Sequence, residues 1–204
     1  MVRSLCLLAL LVSFGVQAQV EYGFIGMRRM PEPTYRDVGV LSASATYAPG
    51  IMLNEDRVNY HLHAFAEYHF NRSVSVKSDS YLFLNSPSTE LQDLKMIRSY
   101  FGMFYHLNQM PRDHWDVKIG FLPGITYAEN AQFLNGQEIR TTSLAPSFST
   151  AIGFDYFVWK YFHFFSQVSY VHATMRGLPN GSERMDELIL SLGLGFQIPT
   201  RKSR

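Results

Sequence analysis

The stretch Val58–Phe70 reads VNYHLHAFAEYHF. Its even positions are Val58, Tyr60, Leu62, Ala64, Ala66, Tyr68 and Phe70, all apolar or interfacial. Its odd positions are Asn59, His61, His63, Phe65, Glu67 and His69, mostly polar. Alternation at period two over thirteen residues is the signature of a strand with one apolar and one polar face. It is also long, since a strand in a globular protein runs about 5–6 residues.

The same alternation recurs on both sides. Asn71–Leu84 sets Val74, Val76 and Leu82 against Ser75, Lys77, Asp79 and Tyr81. Lys95–Leu107 sets Ile97, Phe101, Met103 and Tyr105 against Arg98, Tyr100, Gly102 and His106. His114–Leu122, Thr142–Val158 and Phe162–Thr174 follow, and Leu188, Leu190, Leu192, Leu194, Phe196 and Ile198 mark the last strand. A weaker opening strand around Asp37–Tyr47 brings the expectation to eight. Links two, four and six are short: Asn71-Arg72, Asn108 to Asp113, and Trp159-Lys160. Links one, three, five and seven are longer and polar: Ala48–Arg57, Asn85–Leu94, Ala128–Thr141 and Arg176–Arg184. Pro49-Gly50, Asn135-Gly136 and Pro179-Asn180-Gly181 are read there as loop punctuation.

Short turns at one end and long loops at the other are the asymmetry of an outer-membrane barrel. Hydrocarbon offers no water to pair backbone groups, so a spanning sheet must close on itself. Aromatic residues gather near the strand ends, as interfacial girdles require: Tyr68, Phe70, Trp115, Trp159 and Tyr161 at one end, Tyr47, Tyr60, Tyr127 and Tyr170 at the other. The expected fold is all-β, an eight-stranded antiparallel up-and-down transmembrane β-barrel over residues 37–198.

The composition fits. The 204 residues are 47% hydrophobic and 15% aromatic but only 17% charged, below the quarter usual in a soluble domain. A net charge of +1 carries no electrostatic footprint for nucleic acid. Arg3, the apolar run Leu5–Val16 and the small residues Val16 and Ala18 spell a signal peptide over residues 1–18. The sole cysteine, Cys6, lies inside it, so the mature chain offers no disulfide, no Cys-ligated zinc and no thiol nucleophile. Residues 19–36 read as a periplasmic lead-in, and 199–204, with Arg201-Lys202-Ser203-Arg204, as a periplasmic tail.

On this parity the interior receives His61, His63, Glu67, His69, Lys77, Asp79, Arg98, His106, Asp116, Lys118, Asp155, His163 and Glu187. An eight-stranded barrel has a lumen that side chains fill, so opposite charges are expected to pair in a network rather than line a pore. His61 and His63 are close enough to share an ion, but His69 stands about 20 Å further along the strand. The expectation is therefore packing, with no metal, cofactor or catalytic site inside.

The chain resembles the small eight-stranded outer-membrane barrels, the class of OmpX, OmpW and the OmpA transmembrane domain. The last strand, LILSLGLGF over Leu188–Phe196, resembles their C-terminal assembly signal, although Gln197–Arg204 follow the aromatic residue. That likeness implies an outer-membrane location. It also implies contact with outer-membrane lipid and lipopolysaccharide, delivery by the barrel-assembly machinery, and an extracellular partner reached through the loops. Phe133 and Leu134 make Ala128–Thr141 the most distinctive loop. The implied role is non-enzymatic: structural, adhesive or in envelope assembly.

An outward-facing trio supports an alternative. His172, Thr174 and Asp186 share one parity near the extracellular end, and a base, a hydroxyl and a carboxylate are the parts of a nucleophilic site. They are similar to the His-x-Ser and acidic residue of the lipid A 3-O-deacylases. That similarity implies His172 as base, Thr174 as nucleophile and Asp186 as orienter. Thr stands for Ser, Asp for Glu, and Met175 where Asn is common.

Overall fold

The computed structural model describes residues 38–54, 57–85, 95–108, 110, 112–134, 137–178 and 181–200. The expected signal peptide and lead-in, and residues 201–204 of the tail, lie outside them. Nine strands are described: β1 (Val40–Met52), β2 (Arg57–His69), β3 (Val74–Asn85), β4 (Lys95–His106), β5 (Trp115–Leu134), β6 (Gln137–Trp159), β7 (Phe162–Leu178), β8 (Gly181–Arg184) and β9 (Glu187–Pro199). β8 and β9 form one stave interrupted at Met185-Asp186, and both pair with β7. Each strand pairs antiparallel with its chain neighbour, and β1 pairs with β9, so eight staves close into a barrel.

Parity holds from strand to strand. In β2 the odd positions are buried while Val58, Leu62 and Ala66 are exposed. In β9 Leu188, Leu190, Leu192, Leu194, Phe196 and Ile198 are each 38–52% exposed, beside buried Glu187, Ser191 and Gln197. Such an exterior is apolar around the whole circumference; Phe101, Met103, Ile119, Phe121, Ile152 and Phe164 continue it on other staves. Burying that belt in hydrocarbon is what makes the arrangement stable. The short-turn end also holds both ends of the barrel, tied where Thr200 donates to the Gly39 carbonyl from its backbone N–H (2.7 Å). Gly39 sits at φ 84°, a left-handed conformation that favours glycine.

Three strand limits differ from the sequence reading. Pro49-Gly50 is not a loop but part of β1, opposite Tyr60 and Asn59. Ala128–Thr141 is mostly not a loop either, since β5 and β6 stay paired out to Leu134↔Gln137. Leu134 and Gln137 are the last described pair of this ladder. Arg176–Arg184 likewise contains the end of β7 and all of β8. In each case hydrogen-bonded pairing continues past the apolar stripe that marks the membrane, so alternation ends before the strand does.

The longest break in the described ladders is a seam between β1 and β9. β1 and β9 pair over Val40–Ala43 against Phe196–Pro199, and again over Gly50–Met52 against Glu187–Ile189. Between these stretches the ladder is interrupted. There the hydroxyls of Ser44 and Thr46 donate to the carbonyls of Leu194 (2.8 Å) and Leu192 (2.5 Å). Pro49, which has no N–H to give, falls in this gap.

Candidate functional site

Two constellations carry chemistry, one inside the barrel and one on its exterior. The interior is stacked in layers. Nearest the end away from the short turns, Arg98 pairs with Glu187, which also accepts from His61 (2.8 Å) and Asn59 (3.2 Å). Gly50 makes room for this carboxylate, since a Cβ there would lie 2.2 Å from Glu187 Oε1. Above the layer, Met52, Met96 and Met185 pack with Ala128 and Ala173 as an apolar lid.

In the middle, Lys77 is held by Asp79 (3.2 Å) and Gln167, with its ammonium 4.0 Å from the Phe65 ring centroid. His63 stacks on Tyr81 at 4.4 Å and reaches Asp79 at 3.3 Å. Tyr81 in turn meets Ser169 at 3.1 Å. Nearest the short-turn end, Lys118 bridges Glu67 and Asp155, each at 2.6 Å. His106 bonds Asp116 through Nδ1 (2.5 Å) and Ser75 through Nε2 (2.9 Å). Arg98, Lys77, Tyr81 and Tyr100 are among the largest fully buried side chains, so the lumen is filled. The expected charge network is present, and His61 and His63 belong to separate layers of it rather than to one ion site.

Reading along one strand missed a different grouping. Glu67 and His69 of β2 and His106 of β4 bring one ligand atom each within 4.8 Å of one another, all buried. They meet across β3, whose inward residue at this level is the small Ser75, buried beneath the two rings. The His69 and His106 rings lie 4.9 Å apart over it. The inward direction of Glu67, His69 and His106 was legible from parity, but neighbours around a lumen come from the register, which parity does not contain.

On the exterior, register places His172 of β7 beside the residue before β9. His172 Nδ1 meets Asp186 Oδ1 at 2.5 Å, with the side chains 29% and 15% exposed. Phe148 of β6 supports the ring from the other side at 5.1 Å, directly opposite in the ladder. Thr174 lies two residues on, opposite Arg184. It therefore shares the face of His172 at about 7 Å, the repeat of alternate strand residues. The structure joins His172 to Asp186 and leaves Thr174 one strand repeat away.

No family model matches the sequence. No curated protein matches it either. Among solved structures the chain is similar to the outer membrane protein OprG from Pseudomonas aeruginosa, at a TM-score of 0.56 and 13% identity, over 81% of this chain and 99% of that one. It is also similar to Ail, the attachment invasion locus protein of Yersinia pestis, at a TM-score of 0.51 and 14% identity, over 79% of this chain and 99% of that one. At such identities the likeness is one of fold. A closed barrel of eight staves with an apolar belt and short turns beside its termini is the architecture of the small outer-membrane β-barrels. The chain has this fold, and its outward-facing apolar belt places it in the outer membrane.

Proposed function

We propose that this barrel works from its extracellular surface, in adhesion or envelope assembly, and not as a conduit. The observation that carries this reading is the filled lumen: three layers of paired charges beneath a methionine lid leave the wall and its extracellular extensions as the working parts. Among the described residues the β5–β6 ribbon is the longest of these extensions. β5 continues to Leu134 although its pairing with β4 ends at Glu129. An adhesive role is supported by the extracellular placement of that ribbon and by its paired, protruding backbone. Two measurements test the reading. Purified barrel in planar bilayers is expected to give no conductance steps. Cells displaying it are expected to adhere to immobilised matrix protein or glycan, and to lose adherence when residues 131–140 are replaced by a short turn. Steady conductance, or adherence indifferent to the ribbon, overturns it.

A second reading is favoured by one specific contact, the His172–Asp186 bond on the lipid-facing side. A carboxylate on Nδ1 fixes the tautomer whose Nε2 is free to take a proton, as a general base must. Thr174 is the hydroxyl within one strand repeat. An acyl-ester hydrolase at the outer leaflet would use these parts. Mass spectrometry of lipid A from cells with the protein, without it, and with His172→Ala separates the two readings. Loss of one acyl chain only with intact His172 establishes the hydrolase; unchanged lipid A in all three strains removes it.

A further inference from the structure

We infer that the layer nearest the periplasm is a binding site for one divalent transition-metal ion, held by Glu67, His69 and His106. The set of two imidazoles and a carboxylate suits zinc, which takes His nitrogen and carboxylate oxygen at about 2.0–2.2 Å.

Proton counting comes first. His106 donates from Nδ1 to the Asp116 carboxylate. The Nε2 of that tautomer carries a lone pair, and it faces Ser75 Oγ at 2.9 Å and Glu67 Oε1 at 3.5 Å. Ser75 has a single proton, and Glu67 Oε1 takes it at 2.5 Å. Nε2 is then left facing oxygen lone pairs. A cation between them removes the conflict. The 3.5 Å separation is also close to the edge of a tetrahedron built from bonds of about 2.0–2.1 Å. All three ligand atoms already lie within 4.8 Å, so closing the site needs a shift of about one ångström at His69.

Charge counting points the same way. In this layer three carboxylates, Glu67, Asp116 and Asp155, face one ammonium, Lys118. The remaining lumen carboxylates are already matched, Asp79 by Lys77 and Glu187 by Arg98. The buried layer thus holds more carboxylates than ammonium groups, an excess that a divalent ion offsets. Asp155 Oδ1 has no hydrogen-bond partner among the described residues, so the layer is short of donors as well as of positive charge. Lys118 does not block the ion, because it occupies Glu67 Oε2 and leaves Oε1 on the side of the histidines. Asp116 on the far nitrogen of His106 is the second carboxylate that commonly orients a metal-bound imidazole. His69 ends β2 beside a short turn, so entry is from the periplasm.

The test uses the full mature chain refolded in detergent, with folding checked by heat-modifiable gel mobility. Zinc alone is the probe, quantified per barrel after gel filtration and titrated against a chelator. One zinc per barrel is expected. His69→Gln and His106→Gln should weaken binding at least 100-fold, Asp116→Asn by about 10–100-fold. His114→Gln, which alters an exposed turn histidine, should leave it unchanged. Wild-type barrel that retains no zinc, or folded His106→Gln that binds it equally, overturns the site. If either histidine variant does not fold, cobalt substituted into the wild type decides. Intense d–d bands of a four- or five-coordinate site support the proposal, and their absence overturns it.

Discussion

The barrel contains two histidine–carboxylate pairs of the same kind in opposite settings. His106–Asp116 and His172–Asp186 each join Nδ1 to a carboxylate oxygen at 2.5 Å. The first pair is fully buried in the lumen; the second is 29% and 15% exposed on the outer wall. Inside, the surroundings are other charges and the bond is one link in a layer that must balance. Outside, the ring rests on Phe148. The same bond is therefore one link of a buried charge network in one place and a partly exposed pair on the outer wall in the other. What decides is the parity of the residue, not its partner.

Substitutions can break or sharpen that contrast. The largest effect is expected from Glu187→Gln, which strands Arg98 in the upper layer. Breaking a buried pair this way costs about 3–5 kcal/mol, read as a lowered urea midpoint in lipid vesicles. Next comes Leu192→Arg, a charge placed on the lipid side near the middle of β9. It should cost about 2–4 kcal/mol by the same measurement, showing that the exterior excludes what the interior requires. Gly195→Ala comes third. A Cβ there would lie 2.3 Å from the His163 ring, and overpacking of this kind costs about 1–3 kcal/mol. The smallest effect is expected from Asp186→Asn, under about 1 kcal/mol because the pair is partly exposed. If Asp186→Asn proves as damaging as Glu187→Gln, the distinction between the two faces fails.

Much of the fold was legible because a membrane imposes parity on every strand. Val58–Phe70 alone shows which way each side chain points, and the burial of β2 follows it residue by residue. Strand ends were less legible. Beyond the hydrocarbon the apolar stripe stops although hydrogen bonding continues, so Pro49-Gly50 and Ala128–Leu134 read as loops. The exterior trio was readable as a shared face, and pairing then joined His172 to Asp186. The Glu67–His69–His106 grouping was not readable at all, because β2 and β4 meet only over β3 and sequence distance says nothing of who faces whom around a lumen.

The seam between β1 and β9 has a consequence for how the molecule is made. Every other stave is joined to a neighbour close in sequence, but this junction unites the two ends of the barrel and so carries the greatest cost of loop closure. Over Ser44–Pro49 it lacks a continuous backbone ladder, and hydroxyls of short side chains substitute for it. The junction with the greatest closure cost is thus also the most lightly fastened, with Ser44 and Thr46 as the buttons across its gap.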